Sequence, residues 1–149
     1  MAAVNRVSRT FAVSPPPHVV VDYLKDLGHV AQWDPGTRTC ERIDSGPVGE
    51  GAYWHNVSTM LGVTAETTYK LCELTDRSVV FVGESRSSTA VGTITVEPAG
   101  SGSTVTYEAE LEMHGSARLL NPMMKKAFEK RAVGTQRQLT AVLNALVIS

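Results

Sequence analysis

The stretch from Asn121 to Val147 limits the possible folds more than any other part of the chain. Asn121 suits a helix N-cap and Pro122 suits a first helical position. No proline follows, and Gly134 is the one glycine. At about 100° per residue, Met124, Phe128, Arg131, Thr135, Leu139, Val142 and Leu146 share one stripe. Lys125, Lys126, Glu129, Lys130, Gln136 and Arg137 fall away from it. The pattern predicts an amphipathic helix roughly 39 Å long at 1.5 Å per residue, which needs a large partner surface. Its stripe is apolar at both ends but holds Arg131 and Thr135 in the middle, where a plain core helix carries Leu or Ala. Either the Arg131 stem lies along apolar surface and its head reaches a strand carboxylate, or the middle of the helix faces a cavity.

The rest of the chain supplies the partner. Arg6 to Val13 reads as a strand with Val7, Phe11 and Val13 on one face. Ser14 caps a helix opening with Pro15-Pro16-Pro17, tolerated there because first-turn N–H groups lack helical partners. Val20, Tyr23, Leu24 and Leu27 give that helix a buried face, and Gly28 breaks it. His29 to Trp33 is a second short helix, stopped by Asp34-Pro35-Gly36. Six strands follow: 37–44, 52–60, 63–74, 79–83, 87–96 and 104–113. The last alternates most clearly, with Val105, Tyr107, Ala109, Leu111 and Met113 on one side and Thr106, Glu108, Glu110 and Glu112 on the other. Short turns between such strands favour an antiparallel sheet with one dry and one wet face. The long helix is the only element large enough to cover the dry face.

Several function classes are disfavoured. The 149 residues suit one domain, 1–149. Net charge is −1, with no basic footprint for nucleic acid. Met1 to Arg6 lacks the apolar core of a signal peptide, and no apolar run is long enough to span a bilayer. Cys40 and Cys72 have no metal-type spacing and read as reduced thiols, so a cytoplasmic protein is expected. With no Gly-rich phosphate loop, no nucleophile elbow and no His–Cys or His–carboxylate pair at metal spacing, neither cofactor nor metal is expected. His18, His29 and His114 are isolated and read as surface or structural residues; the strand carrying His55 crosses the expected cavity.

The ordered set of local sequences resembles the START-like (SRPBCC) superfamily, and within it the polyketide cyclase/dehydrase group. The matching pieces are Ser14-Pro15-Pro16, Trp33-Asp34-Pro35-Gly36, Pro47-Val48-Gly49-Glu50-Gly51, Ser103 to Tyr107 and the closing helix. The resemblance implies an α+β helix-grip fold: a curved seven-stranded antiparallel sheet wrapped around the C-terminal helix, two short helices between strands 1 and 2, and a cavity between sheet and helix. The superfamily includes polyketide aromatase/cyclases, lipid and hormone binders and coenzyme Q-binding proteins, and fold alone does not choose among them.

Trp33, Trp54, His55, Tyr69, Phe81, Tyr107, Met124, Phe128, Arg131 and Thr135 are the candidate ligand-binding residues. The plainer reading of the aromatic ones is simple core. Trp33 is expected to close one end of the cavity near the first residues of the long helix. The facing of strand 52–60 is open: one register turns Tyr53 and His55 inward, the other Trp54 and Asn56, and a one-residue slip exchanges them. The second is preferred. In the next strand Thr67, Tyr69 and Leu71 form the more apolar face. The expected function is binding of a small hydrophobic ligand, aromatic or polyketide/lipid-like. One alternative is an aromatase/cyclase or dehydratase using Arg131, Tyr107, Tyr69 and His55. Another is a protein-interaction module with a vestigial cavity, in which a second copy covers the outer face of Val79-Val80-Phe81-Val82, apolar on both faces, as a homodimer.

Overall fold

The computed structural model describes residues 3–146 and contains one seven-stranded sheet. Its strands are β1 (Ala3–Val13), β2 (Thr37–Arg42), β3 (Tyr53–Met60), β4 (Val63–Leu74), β5 (Ser78–Glu84), β6 (Ser88–Ala99) and β7 (Gly102–Met113). Every pairing is antiparallel, in the order β1-β7-β6-β5-β4-β3-β2. Helix α1 (Pro17–Leu24) and a 3-10 segment (Leu27–Gln32) lie between β1 and β2, and the long helix α2 (Asn121–Asn144) closes the chain. This is the START-like helix-grip architecture that the resemblance implies. A second 3-10 segment, Gly115–Leu120, which the sequence pattern does not announce, leads into α2. Helix α2 ends at Asn144, short of the expected Val147, which lies outside the described residues.

The register of β3 is decided by what its alternate residues bury. Trp54 pairs with Tyr69 and Asn56 with Thr67, and Trp54, Asn56, Thr67 and Leu71 are buried on the inner face. His55 therefore faces outward, where Nε2 lies 3.2 Å from Glu66. Register shifts between Thr37 and Thr39 and between Leu71 and Glu73 bend the sheet, as bulges do. On β5, Val79 and Phe81 enter the core while Val80 and Val82 are half-buried on the outer face.

Two kinds of contact hold α2 in the grip of the sheet. Its C-terminal half buries Leu139 and Leu143 in one cluster with Phe11, Val13, Val20 and Leu24. Along β1 it is fixed by polar pairs. Asn5 Nδ2 donates to Asn121 Oδ1 at 2.9 Å, and Arg9 Nε donates to Gln136 Oε1 at 2.6 Å. The Ser14 N–H and hydroxyl both donate to Asn144 Oδ1, at 2.8 and 3.0 Å. These pairs overturn two capping expectations. Asn121 lies inside the first turn, after Leu120 at the N-cap, and Ser14 is engaged by α2, leaving Pro16 at the N-cap of α1. Both side chains serve a long-range partner, which local spacing does not reveal.

Candidate ligand cavity

The first half of α2 stands off the sheet, and the space between them is a cavity of about 330 Å³. Its walls are largely apolar: Val7, Val30, Phe81, Ile94, Leu111 and Phe128 all line it. Gly92 leaves part of its wall bare. Gly92 lines the cavity, and a Cβ built there meets no atom within 4 Å. At the mouth, Leu61 and Val63 of the β3–β4 turn and Leu120 and Met123 at the start of α2 line the cavity, and all four are exposed. That turn is left-handed at both central residues, Leu61 with φ 54° and Gly62 with φ 75°, as a two-residue hairpin loop requires. Leucine is unfavourable in that conformation.

The polar residues gather around Arg131. Arg131 Nε donates to Asp34 Oδ1 at 2.8 Å and Nη2 donates to Asp34 Oδ2 at 2.5 Å, a bidentate pair. The Thr37 hydroxyl and the Gly36 N–H also donate to Asp34, at 2.8 and 3.3 Å. Close packing seats the loop on the helix. A Cβ on Gly36 would lie 2.4 Å from Arg131 Cζ, and one on Gly134 would lie 3.0 Å from Pro35 Cγ. The partner of Arg131 is thus a loop aspartate, not a strand carboxylate. Burial alone would lower the Arg131 pKa, but the bonds to Asp34 outweigh it and leave the pKa raised.

Tyr69 and Tyr107 flank this pair. The Tyr69 ring lies across Gly83 of the neighbouring strand, where a Cβ would be 2.5 Å from Cε1, so only glycine leaves it room. Tyr107 meets Trp33 edge-on, with ring centroids 6.2 Å apart. Burial first, and then the nearby Asp34 carboxylate, pushes Tyr69 up to about 12. The same causes raise Tyr107 further. Both phenols therefore stay protonated at neutral pH. Neither hydroxyl has a hydrogen-bond partner among the described residues. Among the described residues no buried polar side-chain atom is left unsatisfied, so neither hydroxyl is fully enclosed, and both tyrosines line the cavity.

The structure brings Trp33, Tyr69, Phe81, Tyr107, Met124, Phe128, Arg131 and Thr135 together around this space. It leaves out two of the candidates. His55 is on the outer face of the sheet, because the inward positions of β3 are Trp54 and Asn56. Trp54 faces inward but is wholly buried behind Phe81, with its Nε1 donating to Asp26 at 3.3 Å. Trp33 lines the cavity, yet it lies beside the middle of α2, since the adjacent Asp34 is bonded to Arg131. Sequence reasoning passed over Asp34, Asn56, Thr67 and Gly92 as site residues. Asp34 reads locally as a turn residue, and nothing within its own segment marks a partner 97 positions away. Among the described residues no three His, Cys, Asp or Glu side chains converge to hold a metal, and no helix is long and apolar enough to cross a membrane.

Comparison with solved structures gives matches over nearly the whole chain. The Zhui aromatase/cyclase from Streptomyces sp. R1128 aligns with a TM-score of 0.77 at 13% identity, covering 94% of this chain and 93% of that one. TTHA0849 from Thermus thermophilus aligns at 0.76 and 19% identity, covering 95% and 97%. A START superfamily protein from Mycobacterium smegmatis aligns at 0.75 and 13% identity, covering 95% and 99%. At such identities the likeness is one of fold. A search of curated proteins finds no match. The model of the family described as polyketide cyclase / dehydrase and lipid transport matches residues 5–144, and this chain belongs to that family.

Proposed function

We propose that the protein binds a small hydrophobic, aromatic or polyketide/lipid-like molecule in the cavity between sheet and helix. The supporting observation is the cavity itself: about 330 Å³ with largely apolar walls, kept open at Gly92 and carrying its polar groups around one ion pair. A chain selected only for stability would fill such a space, because unfilled volume forfeits packing. Pockets that bury an apolar ligand and orient it with a few polar groups have this make-up. Trp33 lines the cavity and reports on occupancy through its fluorescence. Titration with aromatic ketones, quinones, flavonoids and long-chain acids gives a saturable quench with at least one class. Gly92→Leu abolishes that response while leaving the melting temperature unchanged or higher, since the new side chain fills empty space. No saturable response to any class would overturn the reading.

A second reading, polyketide cyclase or dehydratase activity, is favoured by the free Tyr69 and Tyr107 hydroxyls. Such donors stabilise the enolate oxygen of an aldol condensation. A synthetic poly-β-ketone thioester then yields an aromatic chromophore in the presence of the protein but not of Tyr107→Phe. Identical product distributions with and without protein exclude turnover.

A further inference from the structure

The ion pair at the polar end of the cavity bears on which ligand it takes, granted that the cavity binds one. Asp34 accepts from Arg131 Nε, Arg131 Nη2, Thr37 Oγ1 and the Gly36 N–H, so its lone pairs are occupied. Arg131 and Asp34 cancel in charge, and the flanking tyrosines are neutral. What remains free around the pair is uncharged hydroxyls, those of Tyr69, Tyr107 and Thr135, and the guanidinium N–H groups not spent on Asp34. No anionic acceptor and no uncompensated cation is left. A carboxylate entering here would place two anions on one guanidinium and lose its hydration, which is costly in a dry site. An uncharged carbonyl oxygen loses far less hydration and meets donors already in place. Around it, Trp33, Phe81 and Phe128 offer aromatic surface, and Gly92 leaves width for a flat ring system.

We propose that the Arg131 end of the cavity is a charge-neutral carbonyl subsite. There the Tyr69 and Tyr107 hydroxyls donate to the oxygen of an uncharged aromatic ketone or quinone, and carboxylates of the same size are rejected. Asp34 sets this preference without touching the ligand: it neutralises Arg131 and holds the guanidinium against the Gly36 turn.

Three matched probes test it by calorimetry: 2-acetylnaphthalene, 2-naphthoate and 2-ethylnaphthalene. The ketone binds most tightly, and the carboxylate at least about tenfold more weakly. Tyr69→Phe and Tyr107→Phe each weaken the ketone by up to about tenfold, the scale of one neutral hydrogen bond, and leave the ethyl compound unchanged. Asp34→Asn frees the guanidinium charge and raises affinity for the carboxylate relative to the ketone. Should Asp34→Asn fail to fold, the tyrosine variants decide alone. Equal affinity for ketone and carboxylate, or ketone binding indifferent to both tyrosine variants, overturns the subsite while leaving the ligand-binding reading intact. If none of the three binds, and the wider panel above also gives no response, ligand binding itself fails and the subsite with it.

Discussion

From Leu139 to Leu143, α2 presents fully buried side chains to a cluster from β1 and α1; from Met124 to Arg131 the same helix presents half-buried side chains to open space. One amphipathic stripe thus does two different things. The difference lies in what faces it: well-filled layers of Phe11, Val13, Val20 and Leu24 at one end, and strand positions as small as Gly92 and Ala109 at the other. Between the two lies Arg131, where the Asp34-Pro35-Gly36 turn is clasped to the helix; Ala132 and Thr135, just beyond it, still line the cavity. Well beyond the clasp the helix packs into the core; before it the helix spans the cavity and is held at its first turn by Asn5 on Asn121.

The largest test of this contrast is to break the clasp. Asp34→Ala leaves a partly buried guanidinium uncompensated and should lower stability by about 3–5 kcal/mol in urea denaturation. Arg131→Met should cost a similar amount, because it strands Asp34. The double variant should cost less than the two single losses added together. Strict additivity would show that the two residues do not act as a pair.

Truncation on either side of the clasp comes next. Leu139→Ala removes a side chain that is 0% exposed and should cost about 2–5 kcal/mol. Met124→Ala, facing the cavity, should cost under about 1 kcal/mol, because few contacts are lost there. Equal losses measured by thermal melts would mean that the first half of α2 is packed as tightly as the second. Gly36→Ala sharpens the clasp itself. The new methyl pushes the guanidinium off Asp34, and the expected loss is about 1–3 kcal/mol.

Alkaline pH should destabilise the fold through buried groups, one of them at the cavity. Burial pushes Tyr69 up to about 12 and the Cys40 thiol up to about 11. The unfolded chain releases these protons first, at about 10 for Tyr and about 8.5 for Cys, so stability is fully present below those values and falls as pH rises through the folded ones. Denaturation midpoints should drop between about pH 9 and 12, and Tyr69→Phe should make that drop shallower. An unchanged slope would place the Tyr69 hydroxyl in water. The smallest effect belongs to the mouth. Leu61→Asn relieves a left-handed leucine and should raise stability by a few tenths to about 1 kcal/mol, while removing apolar surface beside the cavity.

Elements and their order were legible because periodicity is a local property. The alternation of Val105, Tyr107, Ala109, Leu111 and Met113 marked β7, and the long stripe marked α2. The oddity of Arg131 and Thr135 in that stripe was also visible, and both do line the cavity. Tertiary structure alone decided the facing of β3. Alternation in Tyr53 to Met60 is chemically ambiguous, and only the pairing with β4 and the packing of one face into the core make Trp54 and Asn56 the buried set and His55 an outer residue. It also decided that Asn121 and Ser14 bind across the fold instead of capping, and that Arg131 meets Asp34. Side-chain type and spacing fix which face of an element avoids water, because that follows from backbone geometry. Which polar groups become partners across 97 to 130 residues is fixed only when packing brings them within hydrogen-bond reach.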